Sequence, residues 1–480
     1  MGIVAPLEGK KEMYRVPFDV PELGYEESLR ELHATLKFGI QPMLETVVDM
    51  LAECGDPDLC YDCLQVAGTN GKTSTSRYSA AILAGEGYRT ALYTSPELVS
   101  YTERMEVDGR PVSEEAFAHG LSTAIEAGRR VNARRSAAGE RPYDVTEFDL
   151  LTVAAMVIYA EAGIDIAVLE VGMGGRWDAT SACKSIRAVT VTGVGLDHTH
   201  ILGDTLEAIS HEKAAVIKRG RSCVLGVGTA TPDSVEDVFL GQCESEGVTP
   251  VLLRPQNLAD ATGEMHPGVP RAHEDLPHAS FVVTKRPQKI GSPLELTVST
   301  PRATYTNVAA LKPAYQAANI ACAVVLCENY LGRALDATHL LDSVMSCPTP
   351  GRFDVVRSNP VALIDACHNP QSVETFLTAV KAISPNVDDR PALLAAVLAD
   401  KDVAGIAQLL APEFPRVYVT QTTSPRALPA EKLAQIFCEA GAVVAGTYAT
   451  VEAALEALKS ESYVACGSIT LAGEVAGLLR

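Results

Sequence analysis

The stretch Leu64-Gln-Val-Ala-Gly-Thr-Asn-Gly-Lys-Thr-Ser-Thr75 constrains the fold more than any other part of the chain. Leu64 to Val66 read as the end of a short buried strand, and a helix-compatible pattern follows Thr73 to about Ala84. Between them lie Gly68, Thr69, Asn70, Gly71, Lys72 and Thr73. Strand, glycine turn, Lys-Thr and helix together make a cradle for phosphate. The glycines let successive backbone N–H groups point at one anion. The helix N-terminus adds positive potential at the same place. Lys72 brings a mobile charge to the outer phosphates, and Thr73 a hydroxyl that reaches a bound metal. The usual P-loop has a further glycine at the position of Val66, so this loop is a tightened variant. The competing explanation is a structural turn carrying a solvated lysine. The strand and helix flanks argue against it.

A chain of 480 residues, 47% of them hydrophobic, has core for more than one domain. No apolar run in it is as long as a membrane span. The opening residues put their lysines after a very short apolar stretch, the wrong order for a signal peptide. Pro6 stands where a myristoylation site needs Ser or Thr. These features lead to the expectation of a soluble, cytoplasmic protein with no membrane partner. The formal charge of −20 argues against a nucleic-acid surface. It leaves nucleotide binding open, because one loop sets its own local field. The 12 cysteines are scattered among apolar residues, as at Cys322 and Cys466, and most are expected to be buried and reduced. Cys60 and Cys63 have zinc-like spacing but lack a matching second pair.

Read in order, residues 25–36 and 42–54 show helical spacing, with a turn over Lys37–Pro42. After the cradle, Thr90–Tyr93 reads as a second strand. The unit is then βαβ, with parallel strands. That strand ends in Thr94-Ser95-Pro96, which puts a serine hydroxyl at the sheet edge where ligands bind. Phe148–Ala162 is a long helix leading into a buried strand at Ile164–Leu169. Glu170 leaves that strand just before Gly172, Gly174 and Gly175. A carboxylate there is well placed to hold Mg²⁺ beside a phosphate loop. Another strand, Ala188–Val194, brings His198 to the same edge, although Mg²⁺ prefers oxygen ligands. Lys213 lies on a helix over Thr205–Ile217. On chemistry alone it reads as a surface lysine.

Residues 226–278 read as helix and loop, and 280–284 with 295–299 as a small antiparallel module. Gln316–Tyr330 is a helix. Pro348, Pro350 and Gly351 mark a hinge. Beyond it strands and helices alternate again, and Asp365 and His368 stand at a strand end. The expected fold class is α/β. A P-loop parallel-sheet domain with a helical lead-in spans 1–348, and a smaller Rossmann-like domain spans 349–480.

Several motifs occur together and in order: VAGTNGKTST, LYTSP, LEVGMGGRWDAT, GLDHT, LGDTLEAISHEKAAVIK, PGRFDVV, DACHNP, LADKDVAG and CGSITLAGEV. In these the chain resembles the folylpolyglutamate synthase/dihydrofolate synthase enzymes of the Mur ligase superfamily, over almost its full length.

The resemblance implies an ATP-dependent ligase. ATP phosphorylates a substrate carboxylate to an acyl phosphate, which the amine of L-glutamate attacks. Dihydropteroate gives dihydrofolate, and a reduced folate gains a glutamate. It also implies roles. Gly68, Thr69, Asn70, Gly71, Lys72, Thr73 and Ser74 match the phosphate loop. Ser95, Glu170 and His198 match Mg²⁺ positions. Lys213 matches a lysine carried as a carbamate, an anion able to hold a second Mg²⁺. Lys72, Lys213 and His198 are then the catalytic residues. Asn319, Arg352 and Asp365 match nucleotide contacts. His368 and Ser468 match positions near the incoming glutamate, and Thr146 and Phe148 the region that meets the pterin. A monomer is expected from the family.

Three residues depart from the pattern. Thr73 stands where the family usually has glycine and peptidoglycan-precursor Mur ligases have threonine. Trp177 stands where leucine is common, and Cys367 replaces an alanine. Thr73 keeps a peptidoglycan-type amino-acid ligase as the alternative reading. The PGRF and EVGMGG motifs favour folate.

Overall fold

The computed structural model describes residues 14–35, 43–98, 100–197, 199–259, 265–267, 273 and 275–479. The turn expected at Lys37–Pro42 and the side chain of His198 lie outside them.

One sheet is built from β1 (Asp62–Ala67), β2 (Thr90–Tyr93), β3 (Met105–Val107), β4 (Arg110–Pro111), β5 (Ile166–Glu170), β6 (Ile186–Gly193), β7 (Ser222–Gly228) and β8 (Pro250–Pro255). A short separate pair, β9 (Asn257–Ala259) and β10 (Met265–Pro267), follows. The sheet then resumes with β11 (His278–Lys285), β12 (Leu294–Ser299) and β13 (Thr304–Ala310). Its order is β13-β12-β11-β8-β7-β6-β1-β5-β2-β3-β4. From β11 to β2 every pairing is parallel, and the pairings beyond at both edges are antiparallel.

β1 is buried along its whole length, as a central parallel strand covered on both faces must be. Its alternation divides the core. Leu64 and Val66 pack with the helices Lys72–Gly85 and Gln316–Leu331. Cys63 and Ala67 pack with the helices Glu114–Ala137 and Glu147–Ala162. The last of these is buried without a break from Leu150 to Ala160, each large apolar side chain contributing about 1.5–3 kcal/mol.

The second sheet runs β14 (Asp354–Ser358), β15 (Val361–Ile364), β19 (Tyr463–Cys466), β16 (Ala392–Ala395), β17 (Val417–Val419) and β18 (Val444–Thr447). Only β14 is antiparallel to its neighbour. The α/β fold class is as expected.

Two expectations are corrected. Residues 226–278 hold β8, a strand of the large sheet, as well as the helix Asp233–Glu246. The antiparallel strands near 280–299 are not a separate module, because β11 pairs in parallel with β8 and extends the sheet. The helix Glu114–Ala137 was not anticipated. Its long polar face, with arginines at 129, 130, 134 and 135, weakens the apolar period. Elsewhere the expected elements appear with shifted ends; the helix around Lys213 is Leu206–Ala214, and Glu170 closes β5 rather than following it.

Candidate active site

Gly68 and Gly71 have φ of +145° and +82°. A Cβ on Gly68 would sit 2.0 Å from Thr192 Oγ1, and one on Gly71 2.3 Å from Asn319 Oδ1. Both positions need glycine for conformation and for space. The loop is stitched to the end of β6. The Thr69 N–H donates to the Gly193 carbonyl (2.9 Å), the Gly195 N–H to Thr69 Oγ1 (3.0 Å), and Thr192 Oγ1 to the Asn70 carbonyl (2.6 Å). Lys72 Nζ donates to the Thr69 carbonyl at 3.1 Å and so lies back over the loop. Gly71 is the N-cap of the helix Lys72–Gly85 and has no side chain to take its first amides. Those amides are available to an anion.

Glu170 is the buried carboxylate beside this cradle. Thr73 Oγ1 donates to its Oε1 at 2.8 Å, and the Ser95 N–H reaches Oε2 at 3.4 Å. Burial pushes its carboxyl above the usual range. Lys72, then Thr73 and Ser95, then Arg352 act in the opposite direction. Lys213 is also buried, and its Nζ donates to the Gly68 carbonyl at 2.9 Å. Burial first, then the charge of Lys72, brings its ammonium down to about 8. The surface-lysine reading of Lys213 is therefore wrong. The short helix turns it into the sheet edge, under the phosphate loop.

Asn319 abuts Gly71 and donates to Gln316 Oε1 (2.8 Å), while Gln316 Nε2 reaches Ser74 Oγ (3.3 Å). Gln316 was missed from sequence, although it lies one helical turn before Asn319 on the same face.

The second sheet supplies the opposite wall. Thr73, Arg77, Thr94, Arg352 and His368 line one cleft. Arg352 is exposed there. Asp365 takes the N–H groups of Phe353 (2.9 Å) and Cys367 (3.0 Å), so it holds the hinge backbone. Its carboxyl is raised by burial. His368 Nδ1 donates to the Ala366 carbonyl at 2.9 Å, which fixes the ring beside the cleft. Ser468 is buried, and its hydroxyl accepts the Leu471 N–H at 3.0 Å, so it works as a helix cap.

Thr146 is also a cap, in a reciprocal pair with Asp149 that opens the helix Glu147–Ala162. Phe148 lies under the loop after Glu170, where a Cβ on Gly172 would sit 2.7 Å from its ring. Asp178 closes that loop by accepting the Met173 N–H at 3.0 Å. Trp177, beside it, is 47% exposed.

Residues 66–227 match the Mur ligase middle domain, and residues 351–468 match the Mur ligase glutamate ligase domain. The chain is 33% identical over 405 residues to a dihydrofolate synthase/folylpolyglutamate synthase of Mycobacterium tuberculosis, covering 82% of this chain and 77% of that one. The chain belongs to the dihydrofolate synthase/folylpolyglutamate synthase family of Mur ligases. Among solved structures, Mycobacterium tuberculosis folylpolyglutamate synthase complexed with ADP and AMPPCP is similar, with a TM-score of 0.70 and 27% identity over 95% of this chain and 99% of that one. So is E. coli FolC in complex with DHPP and ADP, with a TM-score of 0.67 and 25% identity over 95% and 98% of the two chains. Among the described residues, no helix is long and apolar enough to cross a membrane.

Proposed function

We propose that this family member uses ATP to join L-glutamate to a folate-type carboxylate through an acyl phosphate, acting on dihydropteroate, a reduced folate, or both. The observation that carries the reading is the buried Glu170 carboxylate facing Lys72 and held by Thr73 at 2.8 Å, beside an amide cradle with no side-chain cap.

The Glu170 carboxylate and the Thr73 hydroxyl are the kind of oxygens that suit a hard divalent ion such as Mg²⁺, and Ser95, whose N–H approaches Glu170, carries a further hydroxyl on the same sheet edge. Those three residues would hold it, with His198 a further candidate on family grounds. When bound, the ion offsets phosphate charge during transfer. Lys213 as an amine is no ligand for it. As a carbamate it would present an anion from under the loop.

The residues then divide the work. Gly68 to Ser74 orient the β- and γ-phosphates through backbone N–H groups and Lys72. Asn319 meets the nucleotide beside Gly71. Arg352 and Asp365 arrive from the second body, residues 349–480, as it closes on residues 1–348. Arg352 adds positive charge where the transferred phosphoryl and the substrate carboxylate repel each other. His368 and Ser468 face the incoming glutamate, and Thr146 and Phe148 meet the pterin. Closure of the cleft keeps water from the acyl phosphate.

The test is incubation with Mg·ATP, L-glutamate and either dihydropteroate or tetrahydrofolate, followed by mass spectrometry, with the enzyme as a monomer by light scattering. A product heavier by one glutamyl residue, with ADP released in step, is expected. No adduct on either pterin would overturn the reading.

A further inference from the structure

The loop between β13 and the helix Gln316–Leu331 carries Lys312, a residue to which no role attaches in the scheme above. Its side chain is buried, at 6% exposure. Its Nζ donates to the Phe353 carbonyl at 2.7 Å and to the Arg352 carbonyl at 3.0 Å. Lys312 belongs to the large-sheet body, and both acceptors lie at the start of the other body. A buried ammonium on two consecutive carbonyls makes charge-assisted bonds, roughly twice as strong as neutral ones.

The backbone it holds is under constraint. Phe353 has φ of +46°, a conformation that a bulky residue keeps only when its surroundings impose it. Three groups impose it. The Phe353 N–H is taken by Asp365 at 2.9 Å, and its ring packs 5.9 Å from Phe376 in the second core. Its carbonyl is taken by Lys312. The Arg352 N–H is held by the Thr349 carbonyl at 3.1 Å. Both peptide groups flanking the Arg352 side chain are therefore fixed. That side chain lines the cleft opposite Thr73, which is bonded to Glu170.

The same loop leads into the helix whose Gln316 touches Ser74 and whose Asn319 touches Gly71. One short segment thus references the phosphate loop at one end and the Arg352 backbone at the other. We propose that Lys312 is a positioning residue for phosphoryl transfer. By holding the Arg352 and Phe353 carbonyls it sets the distance and direction at which Arg352 is presented to the phosphate loop. The inference rests on the role given to Arg352 above.

A lysine that only satisfies two buried carbonyls would support stability and nothing more. A double-mutant cycle separates the two roles. Wild type, Lys312→Met, Arg352→Ala and the double variant are compared by kcat, KM for ATP and thermal midpoint. Acting through Arg352, Lys312→Met lowers kcat by ~10–100-fold, the scale of a small misplacement of a reacting group. The same change made on top of Arg352→Ala lowers kcat by less than about twofold, because nothing remains to be positioned. KM for the pterin stays within about twofold throughout. If Lys312→Met does not fold, Lys312→Gln, which keeps one donor, takes its place in the cycle with a smaller loss expected. Equal losses with and without Arg352, or an unchanged kcat with a lowered thermal midpoint, would overturn the proposal. So would an Arg352→Ala enzyme of full activity. In each of these cases wild-type glutamate addition still stands or falls on its own mass measurement.

Discussion

Thr73 Oγ1 donates a hydrogen bond of 2.8 Å to Oε1 of Glu170. The hydroxyl comes from the second residue of a helix and the carboxylate from the last residue of the neighbouring strand, β5. The bond therefore locks the phosphate loop to the group best suited to hold a cation. It also favours the ionised carboxylate, against the burial that pushes its pKa up. Removing the hydroxyl leaves burial less opposed. Thr73→Val is expected to move the acid limb of the kcat/KM profile to higher pH, since the carboxylate then protonates earlier as pH falls. The loss at neutral pH is roughly tenfold or more, the worth of a hydrogen bond to a charged group. Thr73→Ser should keep the wild-type limb. A Thr73→Val profile that overlays wild type would remove Thr73 from this role.

Lys213 makes a prediction about carbon dioxide. Burial and Lys72 bring its ammonium down to about 8. At about pH 7.5 roughly a quarter of such lysines are neutral, against about 0.1% of ordinary ones. The neutral amine is the form that adds CO₂ to give a carbamate. Activity should therefore fall in CO₂-depleted buffer and return with bicarbonate. Lys213→Ala should be inactive and partly restored by short carboxylic acids. A bicarbonate-independent wild type with an unrescued Lys213→Ala would leave Lys213 as a plain cation on the Gly68 carbonyl.

How much of this was legible beforehand depended on the range of the interactions. The glycine turn from Gly68 to Thr73 between β1 and its helix was, because its residues are contiguous and their geometry is local. Glu170 and Ser95 were, because strand ends at one sheet edge must meet. The parallel run from β6 to β2 followed from alternating elements. The burial of Lys213 was not legible from chemistry, since Leu206–Ala214 is a short helix with little amphipathic contrast, and only the family pattern pointed to it. β8 was hidden by the glycines and prolines around it, and its pairing with β11 crosses a stretch with no local signal. Asp365, Thr146 and Ser468 were assigned to ligands, yet in this structure each also holds backbone. Lys312 had no sequence signal at all, because its partners are carbonyls about 40 positions away.

His119 offers a test of stability far from the chemistry. Its Nδ1 pairs with Glu22 at 2.6 Å and its Nε2 with Glu161 at 3.2 Å, tying the lead-in segment to the end of the helix Glu147–Ala162. Glu161 foremost, with Glu22, raises the imidazole to about 9. A raised folded pKa contributes stability that is complete below the unfolded value near 6.5, and is lost as pH climbs through about 9. The groups are partly exposed, so the contribution is small. His119→Gln should melt about 1–2 °C below wild type at pH 6, and the gap should close by about pH 10. A gap that persists at high pH would mean packing, not charge, is responsible.

Gly71 is where conformation and space can be told apart. Its φ of +82° resists any Cβ, and a Cβ there would sit 2.3 Å from Asn319 Oδ1. The left-handed conformation alone costs about 1–2 kcal/mol, which a 480-residue protein with its core elsewhere can tolerate. Gly71→Ala should therefore fold, with a modestly lower thermal midpoint. ADP binding should be lost, because pushing Asn319 aside or tilting the first helical turn misdirects the amides that form the cradle. Adding Asn319→Ala removes the clash but leaves φ unchanged. The double variant should regain most of the thermal midpoint lost by Gly71→Ala. It should not regain wild-type ADP affinity, since Asn319 is itself missing from the nucleotide side of the loop. Calorimetric titration of ADP into the three proteins decides the matter. Wild-type affinity in Gly71→Ala would show that neither the close approach of Asn319 nor the left-handed turn is needed to bind phosphate here.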